Sequence, residues 1–427
     1  MEAVRVSVAD PNRKTFTACN SGGDGCCKKD NDKETCALVP VKNTPSGRFL
    51  NQIPEDILNN AALNEAIAVL PANYNFEVHK CVWHIQKNGY QRVALQLPEG
   101  FQRYALVLSD ILVRFGGCID TVILADVTYG ACCIDDFTAL LLDCQLIIHY
   151  GHSCLVPVTT TRVPALYVFV EISLPHAPLL TVLRQNFVGR RVALLATVQY
   201  VSLLHAVKAE VTEMDLYIPQ IRPLSPGEVL GCTAPRLPAG TDALMFVADG
   251  RFHLEAAMIA NPAIPAYRYD PFTKRVFEEQ YDHALMLETR RHAIETARPS
   301  LHFGVILGTL GRQGSPAVLA DIVAKLHAAG KQTTVVLMSE VRPEQLAQFS
   351  TVQTWIQTSC PRLSIDWGYT FGVPLLTPYE LNVMLQTTES FSMGSYRMDF
   401  YATGDMGSGP WTPGYHLRPP RKTNKPC

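Results

Sequence analysis

Phe303-Gly304-Val305-Ile306-Leu307-Gly308-Thr309-Leu310-Gly311-Arg312-Gln313-Gly314-Ser315-Pro316 is the stretch from which the fold can be read. The run through Leu307 is apolar on both faces, as a strand buried in a parallel sheet requires. A glycine-rich loop follows, and Ser315 and Pro316 then supply an N-cap and a first helical residue. The spacing predicts a helix that Gly330 ends, with Thr333 to Leu337 as the next strand. Strand, loop, helix and strand in that order build a parallel α/β sheet covered on both faces.

The same cycle recurs upstream. Arg92 to Leu97 is a short buried strand, a helix is predicted through Phe101 to Phe115, and Thr121 to Ala125 and Leu146 to His149 are further strands. A second cycle opens at Arg191 to Thr197 and continues with Ala243 to Val247 and a helix over Leu254 to Ile259. The expected fold class is therefore α/β, with three Rossmann-like parallel-sheet units over residues 51–170, 171–298 and 299–411. The charged stretch Lys274 to Arg298, with Phe277, Tyr281, Leu285 and Leu287 roughly on one side, reads as a helix connecting the second unit to the third. Residues 1–50 are polar and broken and read as a disordered tail, and residues 412–427 as a basic, Pro-rich one. Cys19, Cys26, Cys27 and Cys36 in the first tail match no C-x-x-C zinc pair.

Composition narrows the function. With 47% hydrophobic and 18% charged residues, the 427-residue chain has the make-up of an ordinary globular protein large enough for several domains. A net charge of −2 provides no global basic field for nucleic acid. No apolar run reaches the ~18 residues of a membrane span, and Met1-Glu2-Ala3-Val4-Arg5 does not open a signal segment. The expected location is cytosolic. There, the odd count of thirteen cysteines favours reduced thiols, available to metal, over a disulfide framework.

Three cysteines lie in turn-like segments, one in each unit. They are Cys132 after the strand Thr121 to Ala125, Cys232 in Gly231-Cys232-Thr233-Ala234-Pro235, and Cys360 in Thr358-Ser359-Cys360-Pro361-Arg362. Loops at strand ends can aim thiolates into a cleft while the scaffold stays rigid, an arrangement suited to a soft metal centre, although a single buried cysteine is commonly just a small apolar residue.

Longer motifs carry a resemblance. Ile53-Pro54-Glu55-Asp56-Ile57-Leu58-Asn59-Asn60, Leu97-Pro98-Glu99-Gly100, Asp126-Val127-Thr128-Tyr129-Gly130-Ala131-Cys132-Cys133, Tyr150-Gly151-His152-Ser153-Cys154-Leu155 and Cys360-Pro361-Arg362-Leu363-Ser364-Ile365-Asp366-Trp367-Gly368 are similar to the diphthamide biosynthesis protein 1 family. So are Asp249 to Glu255, Tyr267 to Pro271 and Leu375 to Glu380, in the same order, between about Asn51 and Trp411. The resemblance implies three domains in a pseudo-threefold arrangement around one [4Fe-4S] cluster, ligated by Cys132, Cys232 and Cys360. It implies the catalytic subunit of 2-(3-amino-3-carboxypropyl)histidine synthase. That enzyme transfers the aminocarboxypropyl group of S-adenosylmethionine to C2 of a histidine of translation elongation factor 2 by a radical route. The implied partners are the diphthamide biosynthesis protein 2 subunit, elongation factor 2 as substrate and an electron-donor iron protein. The C-x-x-x-C-x-x-C run of ordinary radical S-adenosylmethionine enzymes is absent. A quinolinate-synthase-like dehydratase also combines three domains with a three-cysteine cluster, but its motifs do not match. A cluster-bearing relay or scaffold subunit is the non-enzymatic alternative, against which stand all three ligand positions and Asp366-Trp367-Gly368.

Within this frame Cys133 and Cys154 compete as ligands. In an extended segment Cys132 and Cys133 would point apart, and the family pattern favours Cys132. The loop containing Gly308, Gly311, Arg312, Gln313 and Gly314 is a candidate for the methionine carboxylate, with turn geometry alone as the competing role. It is not a phosphate loop, because the lysine and hydroxyl residue of that motif are missing. Glu99, Gly100 and Asp126, at strand ends, are candidates to meet the substrate amino group or a ribose hydroxyl, with capping as the competing role. His152 and His253 are candidate general bases, each weighed against an ordinary hydrogen-bonded core histidine.

Overall fold

Short β-branched and aliphatic runs form three parallel sheets in the computed structural model, which describes residues 53–398. The expectations for residues 1–50 and 412–427 lie outside the described residues. A two-residue strand β1 (Tyr74–Asn75) precedes the first sheet, which comprises β2 (Arg92–Gln96), β3 (Asp120–Leu124), β4 (Leu146–Tyr150) and β5 (Ala165–Val168). Strand β6 (Glu171–Ile172) returns antiparallel to β1. The second sheet contains β7 (Val192–Ala196), β8 (Leu216–Tyr217), β9 (Ala243–Val247), β10 (Ala266–Asp270) and β11 (Arg275–Glu279). The third contains β12 (His302–Gly308), β13 (Gln332–Met338), β14 (Thr354–Gln357) and β15 (Leu375–Leu376).

The strand orders are β3-β2-β4-β5, β8-β7-β9-β10-β11 and β13-β12-β14-β15. In each sheet the first strand in sequence is flanked by the second and third, and the fourth lies beyond the third. All pairings within the sheets are parallel except that of β11 on β10. Val93, Leu95, Leu194, Met245, Val305 and Ile356 are fully buried, so the central strands are covered on both faces, as their unbroken apolar sequence requires.

The helix beginning at Pro316 follows the sequence signals. Ser315 accepts from Val318 N–H, the helix runs Pro316–Ala328, and Gly330 just beyond it takes a positive φ of 70°. Elsewhere tertiary packing alters the expectation. The helix expected through Phe101 to Phe115 is two, Glu99–Gln102 and Ala105–Gly116, separated at Arg103 and Tyr104. The stretch Lys274 to Arg298 is not one helix. Its first part is β11, whose register against β10 places Phe277 opposite Arg268, and only His283–Ala297 is helical. The helix packs on the third unit, because Arg290, 1% exposed, forms a bidentate pair with fully buried Glu380 and donates to Ser364 O and Leu375 O, both at 2.8 Å. Glu380 also completes a capping box with Thr377. Beyond the third sheet the chain crosses back, with Phe391, Tyr396 and Met398 buried in the same apolar core as Ala256 and Ile259 of the second unit. No helix among the described residues is long and apolar enough to cross a membrane.

Candidate functional site

Parallel sheets gather their functional loops at the carboxyl ends of the strands. Cys132 lies after β3, within a 3-10 turn over Ala131–Cys133. Cys232 follows β8 through a segment in which Glu228 bridges Ala196 at the end of β7 and Leu230 bridges Thr233. Cys360 follows β14 and is the N-cap of the helix Pro361–Trp367. The repeat is therefore inexact. In the first two units the cysteine follows the second strand, whereas in the third unit it follows the third strand. The corresponding loop in the first unit, after β4, carries His152 and Cys154.

The three loops converge. Each of the three thiols is deeply set yet keeps part of its surface open. Cys132 is held well above its ordinary pKa, first by its hydrogen bond with Cys133, then by burial and by the charges of Cys133, Cys232 and Cys360. Burial likewise pushes the Cys360 thiol up to about 11. Cys132 and Cys232 share an apolar wall of Ala131, Leu155, Ile221, Leu224 and Leu230. The Cys132–Cys133 segment is a tight turn rather than the extended chain expected, so the two thiols are near enough to act on one another's ionisation. Among the described residues no three His, Cys, Asp or Glu side chains close around a single metal ion.

Polar ties that no local pattern announces hold the loops together. Between the third and first units, Arg312 N–H donates to Cys132 O at 2.8 Å, and its guanidinium makes two 2.6 Å bonds to the fully buried Asp136. The same guanidinium lies over the Phe137 ring, 4.0 Å from the ring centroid. Gln313 donates to Cys133 Sγ at 3.5 Å. Gly311 has φ of 54°, and a Cβ there would sit 2.4 Å from the Cys133 carbonyl carbon, so only glycine lets the loop lie on the cysteine turn. Between the third and second units, Arg362 donates to Phe252 O at 2.8 Å and to Gly231 O at 3.4 Å, and pairs with Glu255 and Asp366. Between the first and second units, Ser153 Oγ donates to buried Glu228 at 2.5 Å. Burial raises the Glu228 carboxyl above its ordinary pKa.

The glycine-rich loop thus adjoins two of the cysteine segments, since a Cβ on Gly308 would meet Ser359 at 2.3 Å. Most of its amides are occupied: those of Thr309, Arg312, Gln313 and Gly314 donate to carbonyls, and that of Gly308 to Thr358 Oγ1. Glu99 and Gly100 are exposed at the start of a short helix after β2, and Asp126 is exposed after β3. Asp136, Glu228, Gln96 and His149 escaped the sequence reading. Buried charge could have drawn attention to Asp136 and Glu228, but their partners are remote in sequence.

Comparison with known proteins follows from this geometry. The sequence matches the diphthamide synthesis protein family over residues 97–397. It is 48% identical over 97% of its length to "2-(3-amino-3-carboxypropyl)histidine synthase subunit 1" of Schizosaccharomyces pombe, covering 96% of that protein. The protein of the same name in Saccharomyces cerevisiae is 50% identical, with 85% of this chain and 87% of the relative covered. The one in Gallus gallus is 47% identical, with 90% and 94% covered. Among solved structures, Dph2 from Pyrococcus horikoshii with a 4Fe-4S cluster superimposes with a TM-score of 0.62 at 25% identity, covering 77% of this chain and 94% of that one. With the motifs, the three parallel sheets and the converging cysteine loops in agreement, the chain belongs to the 2-(3-amino-3-carboxypropyl)histidine synthase subunit 1 family.

Proposed function

We propose that this chain is the catalytic subunit of a 2-(3-amino-3-carboxypropyl)histidine synthase, carrying out the first step of diphthamide biosynthesis. It transfers the 3-amino-3-carboxypropyl group of S-adenosylmethionine to C2 of a histidine of translation elongation factor 2. The observation that carries the reading is the convergence of Cys132, Cys232 and Cys360, one from each sheet, close enough for their charges to act on one another. Three part-open thiols suit a [4Fe-4S] cluster and leave one iron without a protein ligand. When bound, the cluster supplies the electron that opens the sulfonium at the methionine γ carbon and an iron that orients it.

The chain's own residues hold and exclude. Arg312, Arg362 and the Ser153–Glu228 pair fix the cysteine loops against one another, so the thiols are placed before the cluster arrives. The wall of Leu155, Ile221, Leu224 and Leu230 keeps water from one side of a reactive carbon radical. In the loop after β12, the Leu310 and Gly311 amides remain for the methionine carboxylate, while Glu99 and Asp126 lie on neighbouring strand ends for its amino group or the ribose. The partner is a second, related subunit, and an iron protein supplies electrons.

The test is anaerobic incubation of the purified chain and partner subunit with dithionite, S-adenosylmethionine and elongation factor 2. Methylthioadenosine and one aminocarboxypropyl group on a histidine are expected. Deoxyadenosine as the principal product would overturn the reading.

A further inference from the structure

A row of polar side chains runs from the Cys132–Cys133 turn toward the Cys232 loop. Gln96, 1% exposed, donates through its amide nitrogen to Cys133 O at 2.8 Å. Its Oε1 is therefore the acceptor for Asp135 N–H at 3.1 Å and for His149 Nδ1 at 2.9 Å. That arrangement fixes the proton of His149 on Nδ1 and leaves Nε2 as a lone pair, fully buried and with no hydrogen-bond partner. The His152 ring lies 5.4 Å from that of His149, and its buried Nδ1 has no partner either. His253, from the second unit, is near enough to His152 for their charges to interact. Its ring is 5.5 Å from Phe252, and Phe252 presses on Gly231, where a Cβ would meet the ring at 2.1 Å. Cys232 is the next residue.

Folded proteins satisfy nearly all buried polar groups, and leaving one unsatisfied is destabilising. Two neighbouring imidazoles with bare nitrogens, beside the cysteine loops, are thus a feature the fold maintains at a cost and does not itself use. The transfer reaction proposed above, on which this inference rests, has a use for them. When the aminocarboxypropyl carbon bonds to C2 of the target imidazole, that carbon still bears its hydrogen. Aromaticity returns when the adduct gives up its one excess electron, which a bound cluster left oxidised by the cleavage would accept, and the C2–H electron pair stays in the ring as the proton leaves. The net change is then S-adenosylmethionine and histidine to methylthioadenosine, modified histidine and one proton.

We propose that the His253–His152 pair accepts this proton from C2 of the substrate histidine, entering at His253, with the unpartnered Nδ1 of His152 next in the row and His149 behind it as a positioning residue. Burial first, then Arg362, holds His253 at about 4, and burial, then His253, does the same for His152. Both are unprotonated at neutral pH, and once the adduct has lost its excess electron it is a cation whose C2–H is acidic enough for a weak base. The other groups facing the row are Tyr167, 5.5 Å from His149, and Arg362, whose charge is met by Glu255 and Asp366. Proton acceptance is lost only as pH falls toward 4.

The measurement is the number of modified histidines per methylthioadenosine, using the cluster-loaded enzyme with its partner, dithionite, S-adenosylmethionine and elongation factor 2. The wild-type ratio is expected near one. In His253→Gln the iron–sulfur spectrum and methylthioadenosine release should persist while the ratio falls about 100-fold, the usual scale of a general base. His152→Gln should lower it less. Because the ratio is taken per methylthioadenosine formed, partial loss of cluster does not obscure it, and His253→Asn serves if Gln disturbs Phe252. Wild-type coupling in both His253 variants would overturn the assignment alone, whereas absence of methylthioadenosine from the wild type would overturn the transfer reading itself.

Discussion

Replacing Arg312 by methionine tests whether the loop after β12 exists to join units or to hold a ligand. The guanidinium is 21% exposed and Asp136 is fully buried, so the variant leaves a carboxylate in the interior with the Arg162 N–H, at 2.5 Å, as its remaining near donor. Breaking a buried pair from one side costs about 3–5 kcal/mol. The partial exposure of Arg312 puts the cost at the lower end, about 3 kcal/mol, since water reaches one side of the pair. At about 4 °C per kcal/mol, the value between those for 60–100-residue and 150–250-residue domains, the melting temperature should fall by about 12 °C. Asp136→Asn removes the charge as well as the partner. In a double-mutant cycle, Arg312→Met with Asp136→Asn should therefore be less damaging than the sum of the single changes, by about 2–3 kcal/mol. Calorimetry of the four proteins, with iron content and KM for S-adenosylmethionine measured alongside, gives the answer. Additive effects below about 1 kcal/mol with a large rise in KM would refute the structural role and return Arg312 to the substrate.

Alanine at Cys132, Cys232 or Cys360 should each abolish the iron–sulfur absorption or make it labile, whereas Cys154→Ala should spare it; a full, redox-competent cluster in Cys232→Ala would rule out ligation from three loops. Gly311→Ala should lower iron content sharply, because its Cβ displaces the Cys133 backbone in addition to the ~1–2 kcal/mol cost of a left-handed residue, and iron analysis after anaerobic reconstitution checks it. Burial raises the Glu228 carboxyl, so the folded chain holds that proton more tightly than the unfolded one. Its contribution to stability is then full below the ordinary glutamate value of ~4.3 and is lost as pH rises through the folded value. Melting temperatures across that range should decline in the wild type more steeply than in Glu228→Gln, and parallel curves would contradict the burial argument.

The strands were legible because a buried parallel strand must be apolar along its whole length, and Ala243–Val247 matches its predicted bounds residue for residue. Ser315 and Pro316 announced a helix start because capping is local chemistry. What the sequence hid lies at long range. Nothing in the neighbourhood of Arg312 names Asp136, and the tie of Arg362 to Gly231 depends on how two sheets meet. The charged run from Lys274 misled because an edge hairpin tolerates charge as readily as a surface helix, and pairing with β10 decided between them. For the site, the motifs pointed to three cysteines, while the turn that brings Cys132 against Cys133 arises from the loop pressed on it by the third unit.

The order in which the chain is made sets when the cysteine loops can meet. A ribosome releases the first two units, with Cys132 and Cys232, several seconds or more before Cys360 emerges, at ~5–20 residues per second. The third unit brings Arg312 and Arg362, the two side chains that clamp the earlier loops, and its last described segment, through Tyr396 and Met398, closes onto the second. A nascent chain halted before that point presents its first two thiols in unclamped loops, exposed to oxidation and to stray metal. The three-loop site is consequently complete only once the third unit has folded, and a translation pause within that unit would extend the period in which those thiols are vulnerable.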